Sequence, residues 1–289
     1  MGQVLNLKFP LSLSSRRWRR RATLAVGYTA AALLPDRVRT IENGQAGERL
    51  SPVDQLIVNA LVHRAQRRQE PLDHLAYLHR HLWHSDTITA YHAAVEERFT
   101  TWFLPHQAVV IDALEQDLAA QPPGRFTTLC EIGTGSGVTL DYLSQRLRPA
   151  GITACIGLDL SLAQVARDAE RFPHCRFVAA DACQWIPSNA GPGWILFCSG
   201  GVLEYLPQAV LLALFAHTAQ CCAPVRWVIV EPLDPAVDLA RQTASQTFGF
   251  ENSWSHNYPR LLRQAGLRVL YDHDLRFDHQ RWQLVMAGV

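Results

Sequence analysis

The stretch Leu129-Cys-Glu-Ile-Gly-Thr-Gly-Ser-Gly137 turns an apolar run into a glycine-rich one. Glycine has no Cβ, so the backbone at these positions can turn sharply and approach a bound molecule closely. A helical segment follows directly, from Val138 to Leu147. The stretch therefore predicts the strand-to-helix junction of an open α/β sheet, in which ligands bind at the carboxyl ends of the strands.

Beyond this junction, apolar runs typical of buried strands alternate with helical segments. In chain order the predicted segments are strand 126–132, helix 138–147, strand 152–159, helix 163–172, strand 176–180, strand 194–199, helix 209–220 and strand 225–231. This alternation predicts a parallel sheet with helices on both faces.

The C-terminal segment predicts a different pairing. A helix at 258–265 precedes strand-like runs at 267–275 and 281–287, which are joined by residues 276–280. A link this short requires antiparallel pairing, because a parallel crossover needs about a dozen residues or more.

Residues 1–120 are predicted to be helical and to form an N-terminal subdomain, distinct from the domain at 121–289. Helices are expected at 71–82 and from about 86 to 120, the latter broken at Pro105. The Gln-Pro-Pro-Gly loop that follows marks the boundary.

The composition excludes several classes of protein. A hydrophobic fraction of 48% with 18% charged residues is that of a globular chain, and a net charge of +1 provides no field for nucleic acid or an anionic membrane. The seven cysteines lack the paired spacing of a zinc site, so reduced thiols and no metal are expected. Residues 15–34 resemble an export signal, but their apolar run is too short to span a bilayer.

The glycine run alone fits several nucleotide ligands. A dinucleotide fingerprint needs a third glycine where Val138 stands, and Glu131 before the first glycine suits a cationic ligand better than a pyrophosphate. Asp159 ends the next strand, where it is placed to accept from ribose hydroxyls, and Asp181 ends the third, where it can accept from an exocyclic amine. Each acid alone could equally cap a helix, but acids at successive strand ends together indicate a nucleoside site.

With these strand ends in this order, the chain from about Gly124 to Val289 resembles the class I S-adenosylmethionine-dependent methyltransferase family. The segments that carry the resemblance are Glu-x-Gly-x-Gly-x-Gly, Gly-x-Asp-x-Ser, the acid after the third strand, Ser-Gly-Gly-Val-Leu-Glu-Tyr-Leu-Pro and Val-Ile-Val-Glu-Pro. The resemblance implies a Rossmann-like, seven-stranded, mostly parallel sheet with an antiparallel last strand. It also implies S-adenosyl-L-methionine as the cofactor and a cytoplasmic location, because the cofactor is made there.

The resemblance further implies roles for single residues. Gly133 and Gly135 would pack on the methionine portion of the cofactor. Asp159 would bind the ribose, and Asp181 with its neighbour the adenine. The complete implied cofactor set is Glu131, Gly133, Thr134, Gly135, Asp159, Leu160, Asp181, Ala182, Ser199 and Gly200.

Methyl transfer is an SN2 displacement, which mainly requires a nucleophile held in line at about 3 to 3.5 Å in a dry pocket. An acceptor that carries a proton also needs a base, and the candidates are His256, Tyr91 and Glu204, with His256 favoured. The N-terminal helices are expected to form a lid over the crevice, as they commonly do in this family.

The favoured activity is methylation of O, N or C in a metabolite or natural product, because the helical region is large and the chain lacks a basic face. The alternatives are a methyltransferase of peptide, protein or RNA, with Arg16–Arg21 as docking patch, and a non-catalytic protein that binds the cofactor. No nucleic-acid partner and no membrane span are expected, and a homodimer is allowed.

Overall fold

The computed structural model describes five stretches of the chain, residues 13–42, 51–68, 96–248, 253–277 and 279–289. The chain divides into two compact units, Met1–Leu78 with Phe250–Asn252, and His79–Gly249 with Ser253–Val289. The boundary predicted at residue 120 therefore falls inside the second unit. The helix predicted at 71–82 lies outside the described residues.

The first unit contains helices α1 (Leu13–Leu33), α2 (Pro35–Glu42) and α3 (Pro52–Arg68). Helices α1 and α3 approach closely at Gly27, where a Cβ would lie 2.2 Å from the Leu56 carbonyl oxygen. A hydrogen bond of 2.9 Å joins the Tyr28 hydroxyl to Nδ1 of His63. Within the described residues, no helix is long and apolar enough to cross a membrane.

The second unit is built on a seven-stranded sheet with the order β3-β2-β1-β4-β5-β9-β8. Its strands are β1 (Thr128–Ile132), β2 (Ala154–Asp159), β3 (Arg176–Ala179), β4 (Trp194–Ser199), β5 (Val225–Pro232), β8 (Arg268–Phe277) and β9 (Gln280–Gly288), with a separate pair β6 (Gln246–Phe248) and β7 (Ser253–Ser255). Strands β1 to β5 pair in parallel, whereas β9 is antiparallel to both β5 and β8. The predicted fold, including the C-terminal hairpin, is confirmed.

Helices cover both faces of this sheet. They are α4 (Val109–Ala119), α5 (Val138–Arg146), α6 (Leu162–Arg171), α7 (Ala182–Asn189), α8 (Gln208–Cys221) and α9 (Tyr258–Gln264). Successive strand residues point to opposite faces, so Leu129 packs in the core beneath α4 and α5, and Cys130 in the core beneath α8 and α9. Burial on both faces explains why the strands read as continuous apolar runs.

The helix break predicted at Pro105 is wrong. A π-helix, Phe99–Gln107, runs through this proline, and the Ala108 N–H donates to the Phe103 carbonyl at 2.8 Å, five residues back. Proline ends an α-helix because its ring clashes with the carbonyl four residues earlier, and the wider π turn relieves that clash.

Candidate cofactor and active site

The strand register brings the predicted site residues to one edge of the sheet. Ile132 at the end of β1 pairs with Leu158 of β2 and with Cys198 of β4, and Asp159 pairs with Ala179 of β3. The turns that leave these strands are therefore neighbours in space, as the positions of the acids along the chain predict.

The glycine turn after β1 needs glycine for two reasons. Gly133, Gly135 and Gly137 have φ values of +70°, +55° and +72°, a region that side chains disfavour. A Cβ on Gly133 would also lie 2.4 Å from Cγ2 of Val202, in the segment after β4. The N–H groups of Gly133 and Thr134 donate to the Leu158 carbonyl at 2.8 and 2.9 Å. The turn is thus fixed against both neighbouring strand ends.

Asp159 fixes this turn, and its carboxylate can still accept hydrogen bonds from a ligand. Its Oδ2 accepts from the Gly135 N–H at 3.0 Å and its Oδ1 from the Ser161 N–H at 2.9 Å. A carboxylate has about four acceptor positions, so each oxygen can accept a further bond beyond these. The partly buried carboxylate therefore fits the two hydroxyls of a ribose.

Glu131 lies under the turn and is almost completely buried. Its Oε2 accepts from the Thr134 hydroxyl at 2.9 Å. Burial raises the pKa of Glu131 to about 8, against the opposing effect of the Thr134 hydrogen bond, and the nearby Asp168 carboxyl raises it further. A buried acid of this kind favours a cationic group close by, because the cation would stabilise its ionised form.

Asp181 caps a helix. This is the alternative role that the sequence allowed for each of the strand-end acids. Its Oδ1 accepts from the Cys183 N–H at 2.9 Å at the start of α7, whose first residue is Ala182. Leu160 follows Asp159 and is partly buried. The cap fixes Asp181 and Ala182 at the end of β3, beside the Asp159 turn.

Ser199 and Gly200 form the edge of the site at the end of β4. Gly200 has a φ of +84°, is exposed, and has no atom within 4 Å of the position of a Cβ. Its N–H donates to the Val230 carbonyl of β5 at 3.2 Å. This open backbone suits contacts that the main chain, rather than a side chain, makes to a ligand.

Glu231 at the end of β5 is a residue that sequence reasoning left without a role. It is fully buried, and its carboxylate accepts from the Val202 N–H at 3.0 Å, the Glu204 N–H at 3.2 Å and the Cys198 thiol at 3.4 Å. Burial raises its pKa, an effect that the Val202 N–H opposes. Glu231 therefore fixes the segment after β4, including the valine that packs on Gly133. An acid at the end of a buried apolar strand was the available signal.

The candidate bases differ in how the structure places them. His256 is fully buried, its Nδ1 lies 2.6 Å from the Ser245 hydroxyl, and burial lowers its pKa to about 3. Glu204 is buried, with its Oε1 2.4 Å from the position of a Cβ on Gly201. Tyr91 lies outside the described residues. Glu204 is thus next to the turn at Gly200 and Gly201, and His256, directly after β7, interacts with the backbone of Leu203 and Leu206 in the same segment.

Three comparisons place this geometry among known proteins. Trans-aconitate 2-methyltransferases from two Escherichia coli strains are 30% and 31% identical to the chain over 161 residues. Each match covers 54% of this chain and 57% of the relative, so the similarity spans little more than half of either protein. An S-adenosylmethionine-dependent methyltransferase from Clostridium acetobutylicum has the same fold, with a TM-score of 0.50 at 10% identity over 69% of this chain and 98% of that one.

The methyltransferase domain family matches residues 103–272, which is more than half of the chain. The matched range contains the glycine turn, both strand-end acids and Glu231. The chain belongs to the class I S-adenosylmethionine-dependent methyltransferases.

Proposed function

We propose that this methyltransferase transfers a methyl group to O, N or C of a small metabolite or natural product. S-adenosylmethionine supplies the methyl group as an electrophile on a sulfonium centre. The chain would bind it through Asp159, the glycine turn, Asp181 and the Ser199–Gly200 backbone. The support for a small acceptor is the named acceptor of the trans-aconitate relatives together with the near-neutral net charge of +1.

The observation that carries the proposal is the Asp159 carboxylate, which is fixed by two backbone N–H groups and can still accept further bonds. We expect S-adenosylhomocysteine to bind the wild type and to bind Asp159→Ala at least about tenfold more weakly, because hydrogen bonds to a charged group contribute about 1.5–3 kcal/mol each. Calorimetric titration measures both affinities. Asp272→Ala, on the exposed face of edge strand β8, is the matched control and should bind like the wild type.

Equal binding by Asp159→Ala and the wild type would contradict the ribose role. Absence of binding by a folded wild type would contradict the proposed site as a whole. The melting temperature of each variant separates loss of binding from loss of the fold, since Asp159 also holds the glycine turn.

The nature of the acceptor needs a separate test. Incubating the enzyme with methyl-labelled S-adenosylmethionine and a cell extract, and then separating small molecules from macromolecules, shows where the label goes. We expect it in the small-molecule fraction. Label in protein or RNA would support the macromolecular alternative, and binding without any transfer would support a non-catalytic role. Cytoplasmic location and a homodimer belong to the same proposal, and cell fractionation and light scattering test them.

Positioning of the acceptor, rather than a base, is proposed to supply most of the rate. A histidine whose pKa is about 3 is a weak base at neutral pH, so we expect His256→Asn to keep kcat within about tenfold of the wild type. Glu204→Gln tests the carboxylate beside the open turn, and Tyr91→Phe the third candidate. A loss of about a hundredfold or more in one variant would identify that residue as the base.

A further inference from the structure

Two cysteines face each other at the edge of the sheet farthest from the C-terminal hairpin. Ile156 of β2 pairs with Arg176 of β3, and Cys155 and Cys175 immediately precede these two partners. Neighbouring strands lie about 4.7–4.9 Å apart, and disulfides join residues whose Cα atoms are about 4.4–6.8 Å apart. The backbone at this position therefore suits a bond between the two sulfur atoms.

The two side chains interact electrostatically, and one of them reaches solvent. Each thiol shifts the pKa of the other, Cys155 is partly exposed, and Cys175 is 7% exposed. Charged groups surround the pair on the α5 side, where Nε2 of His174 lies 2.9 Å from Oδ1 of Asp141, and Arg148 approaches Cys155. Cys155 is therefore the member of the pair through which solvent reaches the two sulfur atoms.

Cys175 differs in reactivity from the other buried cysteines. Its interaction with the Cys155 thiol lowers the pKa of Cys175 to about 7, and the adjacent His174 lowers it further, whereas the same interaction raises the pKa of Cys155. Burial instead raises the pKa of the Cys130, Cys198 and Cys222 thiols. A thiolate, rather than a thiol, is the form that reacts with peroxides.

We propose that Cys155 and Cys175 are a peroxide-reactive thiol pair that closes to a disulfide. The Cys175 thiolate attacks one oxygen of hydrogen peroxide, the O–O bond breaks, and a sulfenic acid forms with release of hydroxide, which takes up a proton to become water. The Cys155 sulfur then attacks the sulfenic sulfur and loses its proton, the S–O bond breaks, and a second water leaves. Two thiols are oxidised to one disulfide and one peroxide is reduced to two waters.

The pair lies at the opposite end of β2 from Asp159, although Cys175 is near enough to Glu131 to raise the pKa of that carboxyl. Cys155 and Asp159 are separated by about 13 Å along the strand at a rise of about 3.3 Å per residue. Closure would cross-link β2 to β3 around the α6 connection, which raises the melting temperature by restricting the unfolded chain. It would leave the two backbone hydrogen bonds of Asp159 in place, so S-adenosylhomocysteine should bind the oxidised and reduced proteins with equal affinity.

The test is peptide mapping of the full-length reduced protein after graded exposure to hydrogen peroxide, with free thiols alkylated before digestion without reductant. We expect the linked peptide of Cys155 and Cys175 to appear at a lower peroxide dose than oxidation of the exposed Cys221. Dithiothreitol should reverse the link. Cys221→Ser, which removes the exposed thiol outside the pair, should form the same linked peptide at the same dose.

Two substitutions distinguish the two roles of Cys155, which are to donate a hydrogen bond to Cys175 and to provide the second sulfur atom of the disulfide. Cys155→Ser keeps a hydrogen-bond donor but no second sulfur, so Cys175 should stop at a sulfenic acid that dimedone traps. Cys155→Ala removes the donor, so alkylation of Cys175 at neutral pH should slow by about threefold, because the smaller thiolate fraction is partly offset by a more nucleophilic sulfur. Alkylation rates of Cys175 against pH should show a midpoint near 7 in the wild type.

Three results would overturn the proposal. They are oxidation of Cys221 before any linked peptide forms, a link from Cys155 or Cys175 to a different cysteine, and equal alkylation rates of Cys175 in the wild type and Cys155→Ala. The first two results are measured on the wild-type protein alone, so they can contradict the proposal even if a variant fails to fold. None of them depends on the methyl acceptor.

Discussion

At the scale of single residues, carboxylates that accept backbone N–H groups hold the site together. Asp159 binds the turn after β1 and Glu231 binds the segment after β4, and each accepts from more than one main-chain donor. A buried donor left without an acceptor costs about 1–3 kcal/mol, so these acids keep the two turns in one conformation. The backbone of both turns is therefore held by side-chain carboxylates.

Glu131 makes stability depend on pH in a direction that can be measured. Its pKa is raised from 4.5 to about 8 in the folded protein, so between these values the folded chain holds a proton that the unfolded chain has lost. The stabilisation is present below pH 4.5 and is lost as the pH rises through about 8. We expect the free energy of unfolding of the wild type to fall over this range by up to a few kcal/mol more than that of Glu131→Gln.

Urea unfolding at a series of pH values measures this difference. Parallel curves for the wild type and Glu131→Gln would contradict the raised pKa. Asp168, whose pKa burial raises to about 7, acts in the same direction and is present in both proteins, so the difference between the curves reports on Glu131.

At the scale of elements, the loops after β1 and β4 form one unit because Val202 fills the space that Gly133 leaves. The Gly133 Cα has no Cβ, and Cγ2 of Val202 lies 2.4 Å from where that atom would be. The Val202 N–H is in turn held by Glu231 at 3.0 Å. Three strand ends, β1, β4 and β5, are coupled through these contacts.

The coupling predicts the outcome of a double-mutant cycle. Gly133→Ala should destabilise the protein by more than about 2 kcal/mol, because it adds a clash with Val202 to the strain of a positive φ. Gly133→Ala with Val202→Ala should recover part of that loss, since the clash is removed. Gly124→Ala is the matched control, because its φ is +76° and no atom lies within 4 Å of its Cβ position.

Urea unfolding of the single and double variants gives the coupling free energy. The control should lose only about 1–2 kcal/mol, the cost of the left-handed conformation alone. If the effects of Gly133→Ala and Val202→Ala add without coupling, the contact between the two loops does not contribute to stability.

At the scale of the whole molecule, the candidate cofactor residues all belong to the second compact unit, His79–Gly249 with Ser253–Val289. The family match at residues 103–272 lies in the same unit except for the three residues Phe250–Asn252. Residues 1–120, which include helices α1 to α3, are proposed as the lid that shapes the acceptor site. Binding of the cofactor and selection of the acceptor would then depend on different parts of the chain.

Deleting residues 1–78 tests this division. We expect the shortened protein to bind S-adenosylhomocysteine with an affinity comparable to that of the full chain and to lose turnover of the natural acceptor, because water is no longer excluded. Calorimetry and a methyl-transfer assay measure the two properties. Unchanged turnover of the acceptor by the shortened protein would contradict the proposed role of the lid. Loss of S-adenosylhomocysteine binding by a folded shortened protein would show that the deleted residues contribute to cofactor binding.

Much of this protein could be predicted from short-range patterns. The spacing of apolar runs predicted the order of the strands and helices of the main sheet except for helix α7, and the short link at residues 276–280 predicted the antiparallel hairpin. The acids at the strand ends, Asp159 and Asp181, indicated the nucleoside site, because parallel strands end at the same edge of a sheet. Each of these features depends on neighbours in the sequence or on one general rule of topology.

Contacts between distant segments were decided only by the tertiary structure. Sequence reasoning left Glu231 without a role because its donors lie 27 to 33 residues away. It also did not predict the three-residue strands β6 and β7, the second of which ends directly before His256. The π turn through Pro105 likewise contradicted a local rule. The glycine stretch itself shows the division: its spacing predicted a turn that admits a ligand, whereas the packing of Val202 on Gly133 follows from where β4 lies in the sheet.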